Sequence, residues 1–422
     1  MKNIAVIGSG IAGLTSAYLL SRKHNVSVFE ANDYIGGHTA TVDVELDGQS
    51  YAIDTGFIVF NDRTYPRFQK LMSQINSSAL PTEMSFSVHN AMTGLEYNGH
   101  NLMSLFAQKR NVFNPQFYRF LSEIIRFNKQ CKQIYQTGEY PCESLGEFLA
   151  SYQYSDFFCQ HYILPMGAAI WSASIDDMRA FALRFFIRFF QHHGLLNVSD
   201  RPQWYVLEGG SRSYIPGLTA PFKERLFLNM GVKSIVRLDD SVKISFVDGS
   251  SQIFDSVVLA CHSDQALAML ADPSEDEQAI LSAMEYQDNE VVLHTDTALL
   301  PKRKAAWASW NYRLDGVDSS DINSRPASVT YNMNILQRLP DDAPTFCVTL
   351  NQTALIDESK ILRKFNYAHP VFNQASSEAQ VQKSRINGVN NTYFAGAYWY
   401  NGFHEDGVRS GVDVAELFGI AL

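Results

Sequence analysis

Gly8-Ser9-Gly10-Ile11-Ala12-Gly13 has the spacing GxGxxG, and Glu30 follows about 20 residues later. The chemistry of that pattern is dinucleotide binding. Gly8 permits a tight turn, Gly10 lets the backbone approach a pyrophosphate, and Gly13 allows a helix to pack closely on a strand. Glu30 can accept hydrogen bonds from an adenosine ribose. Gly36-Gly37, with His38 and Thr39 after it, suggests another close approach to a large ligand; the plainer alternative is a surface turn. Ala52-Ile53-Asp54-Thr55-Gly56-Phe57 is a further small-residue stretch flanked by strands, and it favours the ligand. NAD and FAD both satisfy these residues.

The glycine motif works only between a strand and a helix. Asn3-Ile4-Ala5-Val6-Ile7 is a short apolar run of strand type, and Leu14–Leu20 reads as helix. A second strand, Val26-Ser27-Val28-Phe29, ends at Glu30. Residues 76–204 are largely helical and aromatic, with Phe117, Phe120, Ile124, Ile125 and Phe127 at helical spacings. Strand character returns from Trp204 to about 285. There 231–236 and 242–246 flank a turn, Asp248-Gly249 signals a hairpin, and 254–260 reads as a buried strand. Met178–Leu196 is apolar nearly all round and punctuated by Arg179, Arg184 and Arg188. It reads either as a packed helix with snorkelling arginines or as a tunnel wall and entrance touching lipid.

Composition narrows the classes. With 46% hydrophobic and 18% charged residues over 422, the chain folds into a substantial core, of two domains by length. Lys+Arg of 34 against Asp+Glu of 44 leaves a net charge of −10, which gives nucleic acid no electrostatic footing. Five widely spaced cysteines without CxxC fit a reduced, cytoplasmic protein without disulfides or zinc. The adjacent His192-His193 has no acidic partner for a metal, so none is expected. No apolar run approaches the roughly 18–20 residues of a membrane span, and a cleaved signal peptide would remove Gly8. Peripheral membrane contact stays open. A hydrolase lacks its GxSxG elbow here.

Together with Tyr393-Phe394-Ala395-Gly396-Ala397, these motifs resemble the flavin-containing amine oxidase and phytoene desaturase superfamily. Leu293-His294-Thr295-Asp296, Trp307–Tyr312 and Gly402–Gly407 resemble, more closely, a bacterial branch of predicted NAD/FAD-binding proteins. Genes of that branch often lie beside cyclopropane-fatty-acid-synthase-like genes, which implies fatty acyl substrates. The resemblance implies an α/β fold, a Rossmann-type FAD-binding domain interleaved with an α+β substrate-binding domain. The FAD-binding domain would take 1–75, 205–285 and 385–422, and the substrate-binding domain 76–204 and 286–384. It assigns Gly8, Gly10, Ile11, Ala12, Gly13, Glu30, Ala31, Gly36, Gly37, His38, Thr39, Thr55, Gly56, Phe57, Val232, Gly396, Ala397, Asp406, Gly407 and Val408 to the cofactor. No cysteine follows Cys347, so the FAD is expected to be non-covalent.

Two positions depart from the family pattern. Gly396-Ala397 stands where Gly-Glu is usual, and Asn289 stands at or near a lysine that many amine oxidases bridge by water to the flavin. That weakens amine oxidation. The resemblance implies hydride transfer from an apolar substrate, such as a modified fatty acyl chain, to flavin N5, with O2 or a quinone-like acceptor downstream. A flavin amine oxidase and a non-catalytic flavin-binding component of a lipid-modifying complex are the alternatives. The last helix is expected to begin near Asp406-Gly407-Val408 with its amides toward the flavin. His404 and Glu405 are the candidates for proton handling; a helix cap and a neighbouring hydrogen-bond partner are the structural alternatives. Tyr398, Trp399 and Tyr400 could form an aromatic wall over the flavin, although aromatic packing is the commoner fate of such residues. Trp307, Trp310, His294 and Asp296 could face substrate or fill the core.

Overall fold

The computed structural model describes residues 1–314 and 328–422; part of the 286–384 segment therefore lies outside the described residues. Asn3–Ile7 is buried along nearly its whole length, as a strand covered on both faces must be. It is the middle of a five-stranded sheet, Leu226–Phe227, Asn25–Phe29, Asn3–Ile7, Ser256–Leu259 and Thr392–Phe394, and all four pairings are parallel. Ile4 lies beside Val26 on one side and Ser256 on the other. Ile11–Leu20 follows the first strand as a helix buried on nearly every side. The last helix, His404–Leu417, packs directly along it. Side chains are excluded at that contact, because a Cβ on Gly407 would lie 2.6 Å from Ile11 Cγ2, and one on Gly411 would lie 2.7 Å from the Ala12 carbonyl oxygen.

The 231–254 region forms an antiparallel sheet of Val232–Arg237, Val242–Phe246 and Ser251–Phe254, with the hairpin turn at Asp248–Gly249. A seven-stranded sheet combines Phe86–Asn90 and Leu95–Asn98 with five strands from 286–370. Against it lies a helical layer that includes Pro115–Thr137 and Leu183–His192, sharing one apolar cluster with the sheet. Phe117, Phe120 and Phe127 point into that cluster, while Ile125 is turned outward, one step off the buried stripe. Among the described residues no helix is long and apolar enough to cross a membrane.

The Phe-rich segment forms a packed helix. Leu183, Phe185, Phe186, Ile187, Phe189 and Phe190 are all buried. Arg184 lies over the Tyr140 ring and Arg188 over Phe185, so the arginine stems cover apolar surface with their heads outward.

Candidate active site

Four loops meet at the C-terminal ends of the parallel strands. The first is the glycine turn. A Cβ on Gly13 would lie 2.1 Å from the Gly8 carbonyl oxygen, so the helix can sit on this turn only with glycine there. Gly37 has φ +57° and faces Gly10, which bridges to Gly36. Gly10 begins the helix with no side-chain cap, and a Cβ there would meet nothing within 4 Å. Uncapped helix amides beside open backbone are what an anionic phosphate needs. His38 Nε2, next to this turn, is shielded from solvent and has no hydrogen-bond partner. These residues fit a dinucleotide.

Glu30 is already well bonded. Its Oε2 accepts from the Ser9 amide at 2.9 Å and the Ser9 hydroxyl at 2.6 Å. Its Oε1 accepts from the Asn32 amide at 3.0 Å and Nδ2 at 2.9 Å. Ala31 is exposed beside it, and a Cβ on Gly231, the residue before Val232, would lie 3.8 Å from Ala31 Cβ.

The second and third loops lock together. The Thr39 amide donates to the Gly36 carbonyl, the Phe57 amide to the His38 carbonyl and the Thr55 amide to the Ala40 carbonyl. A Cβ on Gly56 would collide with the His38 carbonyl oxygen at 2.1 Å. Asp54 anchors the pair by accepting from Thr41 Oγ1 (2.6 Å), the Ser211 amide (2.8 Å) and Ser211 Oγ (2.9 Å). Burial raises Asp54 to about 6 against the pull of those bonds.

The fourth loop precedes the last helix, and here the structure corrects the reading. The helix starts at His404, two residues before the expected Asp406. The Asp406 and Gly407 amides both donate to the Phe403 carbonyl, so the outward-facing amides belong to His404 and Glu405. The Asp406 carboxylate accepts from the Phe403 amide at 2.9 Å, and Val408 is buried in the nucleotide-side core. Glu405 is committed elsewhere. Its two oxygens accept from the Arg67 and Phe68 amides at 3.1 and 2.8 Å, capping the helix Pro66–Gln74, which has no side-chain cap of its own.

His404 stacks on Phe57 with ring centroids 3.6 Å apart and planes 6° from parallel. Its Nε2 shares a 2.9 Å hydrogen bond with the Tyr214 hydroxyl, which in turn bonds Thr39 Oγ1. Tyr214, which the sequence reading passed over, thus ties the Gly36-Gly37 loop to the last helix. Burial lowers His404 to about 3, with His38 adding to the effect, so the ring is neutral at working pH.

Tyr398 and Trp399 do not stand with Phe403 and the Phe-rich helix. A short turn, Ala397–Trp399, carries both rings into the core under the parallel sheet, with Ile7, Phe29, Leu259 and Phe394. Tyr398 lies over Gly396, where a Cβ would sit 2.1 Å from its ring. The aromatic ring facing the helical layer is Phe403. It stacks on Phe189 at 5.0 Å and lies 5.7 Å from His193, while Phe185 stacks on Phe372 at 5.7 Å.

Asn289 is fully buried, and its Nδ2 lies 3.1 Å from His369 Nδ1 while its Oδ1 accepts from Asn351 at 2.9 Å. His369 is 5.6 Å from His38, ring to ring, and His262 is 6.1 Å from His38. Burial lowers His369 to about 4 and His38 to about 3. Where a lysine was the family expectation, the chain holds a group of neutral imidazoles. The remaining candidates have core or surface roles. His294 bonds Thr349, Asp296 accepts from Lys360 at 3.1 Å, Trp307 donates to the Pro301 carbonyl, Trp310 packs on Tyr331, and His192 bonds Tyr135.

A family model described as flavin containing amine oxidoreductase matches residues 11–417. A 1-hydroxycarotenoid 3,4-desaturase of Flavobacterium sp. (strain P99-3) is 38% identical over 98 residues, which span 23% of this chain and only 18% of that enzyme. The crystal structure of a CLA-producing fatty acid isomerase from P. acnes has TM-score 0.69 at 16% identity, covering 99% of both chains. Cyclohexylamine oxidase from Brevibacterium oxydans IH-35A gives 0.68 at 15% identity, also over 99% of each. At such identities the shared property is the fold. The family match begins inside the first glycine motif, just after Gly10, and runs through the 36–37 loop into the last helix; this chain belongs to the flavin containing amine oxidoreductases, a flavin-dependent oxidoreductase by family.

Proposed function

We propose that the protein is an FAD-dependent dehydrogenase that removes hydride from a C–H bond of an apolar substrate, such as a modified fatty acyl chain, forming a C=C bond. O2 or a quinone-like acceptor would take the electrons. The observation that carries this reading is the aromatic wall of Phe403, Phe189, Phe185 and Phe372 between the last helix and the Phe-rich helix. Its titratable neighbours are held neutral, since burial lowers His404 to about 3 and His193 to about 4. An alkyl chain gains about 0.8 kcal/mol per buried CH2 on such a surface. An ammonium would need a base or an aromatic cage instead. Two relatives with a fatty acid or a carotenoid in their names support the apolar class. The amine oxidases share the fold to a similar TM-score, so the fold does not choose between them.

FAD would be held non-covalently by the glycine turn, Glu30 and Ala31, the 36–39 and 55–57 loops, Val232, Gly396-Ala397 and the first turn of the last helix. Segments 1–75, 205–285 and 385–422 would form the unit that binds it, and 76–204 with 286–384 the unit that binds substrate. Bound FAD would supply the hydride acceptor. The proton released in a dehydrogenation would pass to water, because burial holds His404 and His369 at about 3 and 4 and leaves them poor proton acceptors.

Glu30→Ala should weaken FAD retention by roughly 1.5–3 kcal/mol, measured by fluorescence titration of stripped protein. Unchanged affinity would remove Glu30 from the site. For the substrate class, the protein mixed anaerobically with a cyclopropane or monounsaturated fatty acyl lipid should bleach its flavin absorbance. Primary amines and polyamines should leave it oxidised. Rapid bleaching by an amine, with lipids inert, would place the protein among the amine oxidases.

A further inference from the structure

Large apolar side chains on the surface of an acidic protein need a reason when they crowd together. Leu102, Met103 and Phe113 are 74%, 86% and 88% exposed. They lie on one stretch of chain, the short helix Leu102–Leu105 and the turn Lys109–Phe113. The helix is fixed by Asn101, which accepts from the Ser104 amide, and the turn by Phe106 against Tyr118 and by the Tyr118 hydroxyl donating to Val112. These side chains are therefore displayed by an ordered backbone.

The charge along the stretch that carries them is of one sign. Residues 97–122 contain Lys109, Arg110 and Arg119 and no Asp or Glu, in a chain whose net charge is −10. The helix packs directly against the turn Lys304–Ala306, which brings Lys304 to the same surface. Arg110 donates to the Gly94 carbonyl and Lys304 rests over Trp307, and among the described residues neither Lys109, Arg110 nor Lys304 forms a salt bridge. Of the nearby acids among the described residues, Glu96 pairs with Arg303, and Glu83 accepts a hydrogen bond from the Ser85 hydroxyl.

We propose that this surface binds an anionic lipid bilayer, with Leu102, Met103 and Phe113 entering the interface and Lys109, Arg110 and Lys304 meeting lipid phosphates. The charge pattern argues for lipid, since apolar tips with cations on the same stretch and on the neighbouring turn match the two layers of a bilayer surface. The contact does not depend on the substrate class above.

The test is sedimentation of the flavin-loaded protein with vesicles of phosphatidylcholine alone or mixed with phosphatidylglycerol. Pelleting is expected with the anionic vesicles only, and high salt should reverse it. A Leu102→Ser, Met103→Ser, Phe113→Ser triple variant and a Lys109→Glu, Lys304→Glu double variant should each lower vesicle affinity at least about tenfold. Val381→Ser, at a site 82% exposed elsewhere, should bind as the parent does. Flavin content and circular dichroism report folding, and Phe113→Ser alone replaces a triple variant that loses its flavin. No pelleting with anionic vesicles at low salt, or variants that pellet like the parent, would overturn the proposal.

Discussion

Between pH 7.5 and pH 5 the protein should lose on the order of 5 kcal/mol of stability, enough to unfold many domains of ordinary margin. Five histidines drive the effect. Burial holds His38 and His404 at about 3 and His193, His294 and His369 at about 4, against 6.5 for a free imidazole. Below pH 6.5 the unfolded chain takes up protons that the fold refuses, so stability falls as pH falls. A fully buried imidazole costs up to about 1.4 kcal/mol per pH unit in that window. His294 and His404 are buried; the other three are half-buried and contribute less. Two carboxyls act in the opposite sense. Burial raises Asp54 to about 6 and Asp406 to about 7, so each favours the fold as pH drops through those values, and they offset only part of the loss. Urea midpoints at the two pH values measure the difference. His294→Asn, whose ring bonds Thr349 and the Asp296 amide among the described residues, should reduce the pH dependence while leaving flavin content intact. A midpoint that does not move between pH 7.5 and 5 would show that these rings are protonated in the fold.

What the sequence made legible follows from the range over which each signal acts. The first strand, glycine turn and helix are encoded within the span Asn3–Leu20, and all appear where the motif requires them. The hairpin at Asp248–Gly249 is equally local. Partners far apart in the chain were not legible. Tyr214 meets His404 across 190 positions, and Asn289 meets His369 across 80, with no periodicity that announces either contact. Of the two readings of Tyr398 and Trp399 the structure shows core packing, and the sequence could not choose between them for another reason. A three-residue turn decides which way each ring goes, and neither helical nor strand spacing extends over so short a piece. Phe403 could have been chosen instead only by knowing that the last helix starts one residue later.

Glu405 is where the two kinds of information collide, and a pair of substitutions separates them. A carboxylate beside a histidine before a helix suggests a proton-transfer pair. The geometry gives it two backbone amides 338 and 337 positions away in sequence. Burial raises the Glu405 carboxyl and those amide bonds oppose the rise. Glu405→Ala leaves two donors at the start of Pro66–Gln74 without their acceptor, and about 2–4 kcal/mol of stability should go with them. The loss reaches the candidate site, because Phe68 on that helix packs edge-on against both Phe57 and His404. Glu405→Gln keeps one acceptor oxygen and most of the shape, so it should recover about half of the lost stability. The rate of flavin reduction decides the role. If Glu405 only caps the helix, the Gln variant reduces its flavin within a few-fold of the parent rate with the same pH profile. Loss of two or more orders of magnitude in that rate, at unchanged stability, would mean the carboxylate moves a proton after all.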